Sequence, residues 1–124
     1  MYSKTLLDRF QNPRNVGDVE NPTARVSLQN PACGDVLEIS LQLADGMITN
    51  IRFRAKGCVA AIACGSAVTE LAMGTAAEQA RRLQVGDVVN FLEGLPATSN
   101  HAAVLAIEAL HSVLESSLIT SKAQ

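Results

Sequence analysis

Residues 37–55 confine the chain to a β-hairpin. Leu37, Ile39, Leu41 and Leu43 alternate with Glu38, Ser40 and Gln42, and Asp45-Gly46 follows as a two-residue turn signal. On the return strand Met47, Thr49, Ile51, Phe53 and Ala55 alternate with Asn50, Arg52 and Arg54. A period of two sends the two sets to opposite faces, so the hairpin is expected to be apolar on one face and wet on the other. Residues 24–29, with Val26 and Leu28, offer a third and weaker strand.

An apolar sheet face needs a second layer, and the rest of the chain supplies helices. Residues 3–10 carry Leu6, Leu7 and Phe10 at helical spacing and end before Asn12-Pro13, because proline disfavours helix at the residue before it. After Lys56-Gly57-Cys58 an alanine-rich run continues to Met73 and reads as a buried helix. Gly74 is a stop, Thr75 a cap for a helix over 76–82, and Gly86-Asp87 opens a short helix to Leu92. Ser99 or Asn100 caps a last helix in which Val104, Ile107, Leu110 or His111, Leu114 and Leu118 recur. Strands first and helices after predict an α+β fold, a small three-stranded antiparallel sheet with helices packed on one face. The 124 residues suffice for a single domain over 1–124.

Composition narrows the functions. The net charge is -2 with no block of like charge, which argues against a nucleic-acid surface or a membrane-binding patch. Charged or polar residues interrupt the apolar stretches before the ~18 positions of a membrane span, so no transmembrane helix is expected. Met1-Tyr2-Ser3-Lys4 runs into Leu6-Leu7-Asp8-Arg9, too short and too charged for a signal peptide. Three cysteines, Cys33, Cys58 and Cys64, do not make a disulfide framework in such a chain. The cytoplasm is the expected compartment, where the thiols stay reduced.

The residues with metal chemistry sit at element ends. Asn30-Pro31-Ala32-Cys33-Gly34-Asp35 forms a turn between two strand candidates and presents a thiol and a carboxylate. Cys58 lies where the return strand gives way to a helix, whose N-terminal dipoles favour a thiolate. His101 falls in the first turn of the last helix. Each has an ordinary reading: Cys33 a passive loop residue, Asp35 a turn-former, Cys58 a small core residue, His101 a surface or capping residue. Together, two thiols, a carboxylate and an imidazole match the ligands of zinc and iron, although their spacing is not that of a zinc finger.

Several separated motifs resemble one family. Tyr2-Ser3, Asn12-Pro13-Arg14-Asn15-Val16-Gly17, Pro31-Ala32-Cys33-Gly34-Asp35, Gly57-Cys58 with Ala61-Ile62-Ala63, and Val68-Thr69-Glu70 are similar to the IscU/NifU N-terminal scaffold pattern, in its order and spacing. The match runs from about Tyr2 to Glu115. The resemblance implies a SufE/IscU-like fold and a scaffold that makes no covalent change in an organic substrate. Such scaffolds take sulfur from a cysteine desulfurase and iron from a donor, assemble a [2Fe-2S] cluster and pass it to apo-protein recipients. Cys33, Asp35, Cys58 and His101 fall on the family's cluster and metal positions, and isolated members often hold zinc there.

The chain departs from the pattern at two places. The family follows its histidine with a third cysteine, which is also its favoured sulfur acceptor; here His101 is followed by Ala102. The chaperone-recognition segment Leu-Pro-Pro-Val-Lys is replaced by Leu95-Pro96-Ala97-Thr98-Ser99, which weakens the expectation of docking to the dedicated DnaK-class chaperone. Cys64 stands where the family usually has serine. On a helix, six residues from Cys58 advance roughly 9 Å and turn about 240°, far beyond a metal–sulfur bond of about 2.3 Å. The sequence therefore supports a scaffold-like carrier of iron, a [2Fe-2S] cluster or zinc, with a degenerate paralogue that regulates or contacts the assembly machinery as the alternative. An enzyme is disfavoured: no His-Glu-x-x-His motif is present, and Cys58 and Cys64 are not a Cys-x-x-Cys pair.

Overall fold

The structure, a computed structural model, describes the backbone of residues 1–123 and the side chains of residues 1–119. Helix α1 (Lys4–Gln11) begins where Ser3 Oγ accepts from the amide of Leu6 at 3.0 Å. Strands β1 (Ala24–Gln29), β2 (Val36–Ala44) and β3 (Met47–Lys56) form an antiparallel sheet in that order. Helices α2 (Val59–Ala72), α3 (Ala77–Ala80) and α4 (Val85–Phe91) follow, and a 3-10 turn at Ala97–Ser99 leads into α5 (Asn100–Ala123). This is the expected three-stranded α+β arrangement, with α2 and α5 lying on the sheet and on each other.

The hairpin departs from simple alternation near its turn. Leu41 pairs with Ile51 and Gln42 with Asn50, but Leu43 pairs with Ile48, so Thr49 is an extra residue on β3. A bulge of this kind shifts the side-chain phase by one. Ile48 is thereby fully buried, whereas Met47 is 42% exposed and Thr49 lies outside the core. The other face is not wholly wet either. Ser40 is buried, and its Oγ accepts from the amide of Val19 at 2.9 Å. Residues 15–17 also extend the sheet: Phe53 N donates to Asn15 O, and Gly17 N to Phe53 O, both at 2.9 Å. The Asn-Pro-Arg-Asn-Val-Gly motif thus joins β3 to α2, since Arg14 N donates to Ser66 Oγ at 3.0 Å and Asn15 Nδ2 to Thr69 Oγ1 at 3.2 Å.

Small residues let the layers approach closely. A Cβ on Gly65 would lie 2.5 Å from Phe53 Cδ2, so α2 rests directly on the buried Phe53 ring. On α5 the buried stripe is wider than the large residues alone suggest: Ala102, Ala103, Ala106 and Ala109 join Ile107, Leu110 and Leu114, while Val104 and Leu118 are only half-buried. The helix is long and apolar enough to cross a membrane by length and composition, with a mean hydropathy of 1.5 over Ala97–Ile119, but more than half of it is buried within the protein. The helix is apolar on average although polar and charged residues interrupt its apolar runs. Two helix starts also differ from expectation. Thr75 does not cap α3; its Oγ1 donates back to Ala72 O at 2.8 Å and closes the end of α2. Helix α4 starts at Val85, ahead of Gly86, because Asp87 Oδ2 accepts from Gln84 N at 2.8 Å.

Candidate metal centre

The sheet's pairing brings Asp35 and Gly57 together. Val36 pairs with Lys56, so the residues just beyond this pair, Asp35 and Gly57, leave the sheet side by side. The turn before Asp35 is held by its own backbone. Asn30 N donates to Asp35 O and Gly34 N to Asn30 O, both at 2.8 Å, while Ala32 N donates to Asn30 Oδ1 at 2.9 Å. Gly34 turns the chain with φ +79°, leaving Cys33 exposed at the tip.

Asp35 is the buried member of the site, with a side chain 5% exposed. Its Oδ1 accepts from Cys58 N at 3.2 Å and its Oδ2 from the Cys58 thiol at 3.3 Å. Gly57 makes this approach possible: its φ is +152°, and a Cβ there would stand 2.1 Å from Asp35 Oδ1. Burial pushes the Asp35 carboxyl up, but hydrogen bonds from the Cys58 thiol and amide and from Cys33, with the charge of His101, outweigh it and hold the group below the usual carboxylate range.

Cys58 caps α2, accepting on Sγ from the amide of Ala61 at 3.4 Å. The sequence reading gave it a helix N-terminus that favours the thiolate. The net effect in the structure is the reverse: burial and the Asp35 carboxylate push the thiol up against the help of the helix amides. A cation would change that balance, because it offsets both charges. His101 enters from the first turn of α5, with Nε2 3.5 Å from Asp35 Oδ2. Cys33, Asp35 and His101 each offer a ligand atom within 4.8 Å of the others, and Cys58 joins them through Asp35.

Of the four residues singled out in the sequence, Cys33, Asp35 and His101 therefore meet at one end of the sheet, and Cys58 reaches them through its bonds to Asp35. Cys64 does not. It is completely buried in α2, and burial, then the nearby Cys58, pushes its thiol up to about 12. That is the inert core reading of this residue. Ala102 is 1% exposed, part of the wall between α5 and the core. Two contributors have no metal chemistry of their own: Gly57, which admits the carboxylate, and Asn30, which braces the turn. A glycine directly before a cysteine at a strand-to-helix junction is the signal that could have pointed to the first.

An α+β domain that gathers two thiols, a carboxylate and an imidazole at one sheet end defines a class, the small module with a sulfur-rich candidate metal centre. Residues 1–119 match the family described as NifU-like N terminal domain, and the chain belongs to that family. It is 42% identical over 110 residues to the iron-sulfur cluster assembly scaffold protein IscU 1 of Archaeoglobus fulgidus, covering 89% of this chain and 72% of that protein. It is 36% identical over 117 residues to the iron-sulfur cluster assembly scaffold protein IscU of Escherichia coli strain K12, covering 91% of each. Its fold is similar to the crystal structure of a putative iron-sulfur cluster assembly scaffold protein for the SUF system from Fervidobacterium islandicum AW-1. The TM-score is 0.77 and the identity 18%, covering 91% of this chain and 96% of that one.

Proposed function

We propose that this chain is an iron–sulfur cluster assembly scaffold whose cargo, iron or a [2Fe-2S] cluster, is held by Cys33, Asp35, Cys58 and His101. The observation that carries the proposal is the convergence of three chain segments on Asp35: Cys33 and His101 lie within 4.8 Å of it and of each other, and the Cys58 sulfur lies 3.3 Å from its Oδ2. The donors suit the cargo. Thiolate and imidazole bind borderline metals, and a buried carboxylate supplies a fourth position that is exchangeable against sulfur. The same four donors suit Zn²⁺, the expected occupant when iron is not supplied.

Cys33 and Cys58 are both exposed residues, as a protein that loads and unloads its cargo requires. In this reading a cysteine desulfurase supplies sulfur, a donor supplies iron and apo-proteins receive the product, in the cytoplasm, without covalent change in any organic substrate. The domain spans residues 1–124. Docking to a dedicated chaperone is left out of this reading, because the 3-10 turn Ala97–Ser99 after Leu95-Pro96 differs in composition from the family's segment. The regulator alternative rests on the same turn and on Ala102, and the relatives' names favour the scaffold over it.

Anaerobic reconstitution with ferrous iron and sulfide tests the proposal. The native chain should develop the visible absorption of a cluster, and Cys33→Ser or Cys58→Ser should abolish it and lower retained iron. Protein that stays colourless and binds neither iron nor zinc under any of these conditions overturns the assignment.

A further inference from the structure

The sheet closes one edge and leaves the other open. On the β3 edge, residues 15–17 pair with Phe53 and extend the ladder. On the β1 edge no described residue pairs with the strand. At the end of β1, Asn30 N donates across to Asp35 O at 2.8 Å. From there the pairing runs without a shift through Leu28 with Leu37, Val26 with Ile39 and Ala24 with Leu41. In an antiparallel ladder, alternate residues direct both backbone groups to the same neighbour. Ala24, Val26 and Leu28 therefore bond to β2, while Arg25, Ser27 and Gln29 direct their N–H and C=O groups outward. All three outward residues are exposed. Proline, lysine and bulges commonly guard an open edge, and Ala24–Gln29 has none of them.

A groove of about 340 Å³ opens where this edge meets α5. Gln29 and Pro31 line one side of it, and Val104, Leu105 and Glu108 the other. Val26 and Leu28 are half-buried against the core on the sheet face that α5 covers. A strand added beside β1 would send every second side chain to that face. Near Gln29 such a side chain enters the groove, where Val104 and Leu105 offer an apolar wall and Glu108 a carboxylate. No lysine or arginine lines the groove. A lysine or arginine on the added strand suits both features, with its stem on the wall and its charge at Glu108. A second copy of β1 fits less well. Pairing about a two-fold at Ser27 would set two α5 helices about 10 Å apart, each bringing Glu108 to the junction.

We infer that the β1 edge and its groove form a docking site for an extended segment of a partner protein. The segment pairs through its backbone with Arg25, Ser27 and Gln29 and places a lysine or arginine at Glu108. The groove reaches Pro31, two residues from Cys33, so a docked partner stands beside the candidate metal centre. The inference goes beyond the scaffold reading and does not depend on a bound metal.

The probe is a capped heptapeptide, acetyl-Thr-Val-Thr-Lys-Thr-Val-Thr-amide, titrated to millimolar concentration into the metal-free full chain labelled with nitrogen-15. At saturation the amides of Arg25, Ser27 and Gln29 should exchange hydrogen several-fold more slowly. Those of Val26 and Leu28, already bonded to β2, should not change. Norleucine in place of the peptide lysine should weaken binding by up to about fivefold, the size of one exposed ion pair, and should make no difference to Glu108→Gln. Ser27→Pro removes one outward donor without breaking a bond to β2 and should abolish the protection. A peptide N-methylated at alternate backbone nitrogens checks the same pairing on the native chain and should not bind. Absence of binding at millimolar peptide, protection without the alternation, or undiminished binding of the N-methylated peptide overturns the inference. Protection of the same amides that grows with protein concentration in the absence of peptide gives the edge to a second copy and overturns it too.

Discussion

Gly57→Ala probes how the centre is built. The native φ of +152° is one that side-chain-bearing residues rarely adopt, and a Cβ would stand 2.1 Å from Asp35 Oδ1 and 2.7 Å from its Cγ. Two costs arise. Holding an L residue in a sparsely populated backbone region costs about 1–3 kcal/mol. Displacing the carboxylate forfeits its bonds from the Cys58 amide and thiol, at 3.2 and 3.3 Å. Hydrogen bonds to charged groups are worth about 1.5–3 kcal/mol each, and water recovers part of that once the carboxylate swings outward, leaving a net loss of about 2 kcal/mol. In an Asp35→Ala background the carboxyl atoms are gone and the remaining contact, with the residue-35 Cβ at 3.1 Å, needs a shift of only a few tenths of an ångström, so the backbone cost dominates. Metal-free Gly57→Ala should therefore lose about 3–5 kcal/mol of stability in the native chain but about 1–3 kcal/mol in the Asp35→Ala chain, a coupling of about 2 kcal/mol. Urea unfolding in the presence of a chelator measures it. With a slope of about 1–3 kcal/mol per molar, the coupling is a difference of roughly 1 M in midpoint shift. Equal shifts in the two backgrounds would refute the claim that Gly57 is glycine to admit the carboxylate.

Three further outcomes follow from the same contacts. Gly65→Ala places a methyl 2.5 Å from Phe53 Cδ2 in a fully buried layer, and overpacking of about 1–3 kcal/mol should lower the thermal midpoint by roughly 4–12 °C; an unchanged melting curve counts against the close contact of α2 with β3. In metal-free native protein at pH 8, iodoacetamide followed by mass spectrometry should modify the exposed Cys33 and Cys58 and spare Cys64, which is buried with its thiol pushed up to about 12; labelling of all three at similar rates contradicts that burial. The hydrogen bond from Arg54 holds the Asp18 carboxyl below its ordinary 3.8, so its contribution is present above that value and is lost as pH falls through the lower folded value. Arg54→Gln should flatten the fall in urea midpoint between about pH 5 and pH 2, and an identical acid profile removes this ion pair from the account.

The fold was legible where a single period governs a segment. Leu37 to Leu41 and Ile51 to Ala55 keep strict alternation, and the strands lie where that alternation puts them. The reading failed at Ile48 because one extra residue on β3 reverses the phase, and no local composition announces that residue. Alanine was the other blind spot. Ala102, Ala103, Ala106 and Ala109 are buried by close helix packing, which hydrophobic spacing of large residues does not reveal. The candidate site was legible by residue type at element ends, but its closure was not. Only the pairing of Val36 with Lys56 brings Asp35 to Gly57, and that contact depends on a register set by the whole hairpin. The sign of the Cys58 shift was missed for a related reason. The helix amides were visible in the sequence, whereas the opposing carboxylate belongs to a residue 23 positions away.

The distribution of burial within the centre separates a carrier from a structural metal site. A structural zinc is closed by its ligands and often supplies the folding energy of a small domain that lacks a core. Here the core is complete without it: Leu37, Ile39, Leu41, Ile51 and Phe53 on the sheet are covered by α2 and α5. The turn that carries Cys33 is fastened by Asn30, and Cys58 is fastened as a helix cap. Neither cysteine relies on an ion for its position. The one buried donor, Asp35, is bonded to protein on both oxygens. Such a site has its geometry prepared in advance and its cysteines on the protein surface, so binding need not drive folding and release need not drive unfolding. That independence is what the proposed loading and unloading of an iron–sulfur cargo requires.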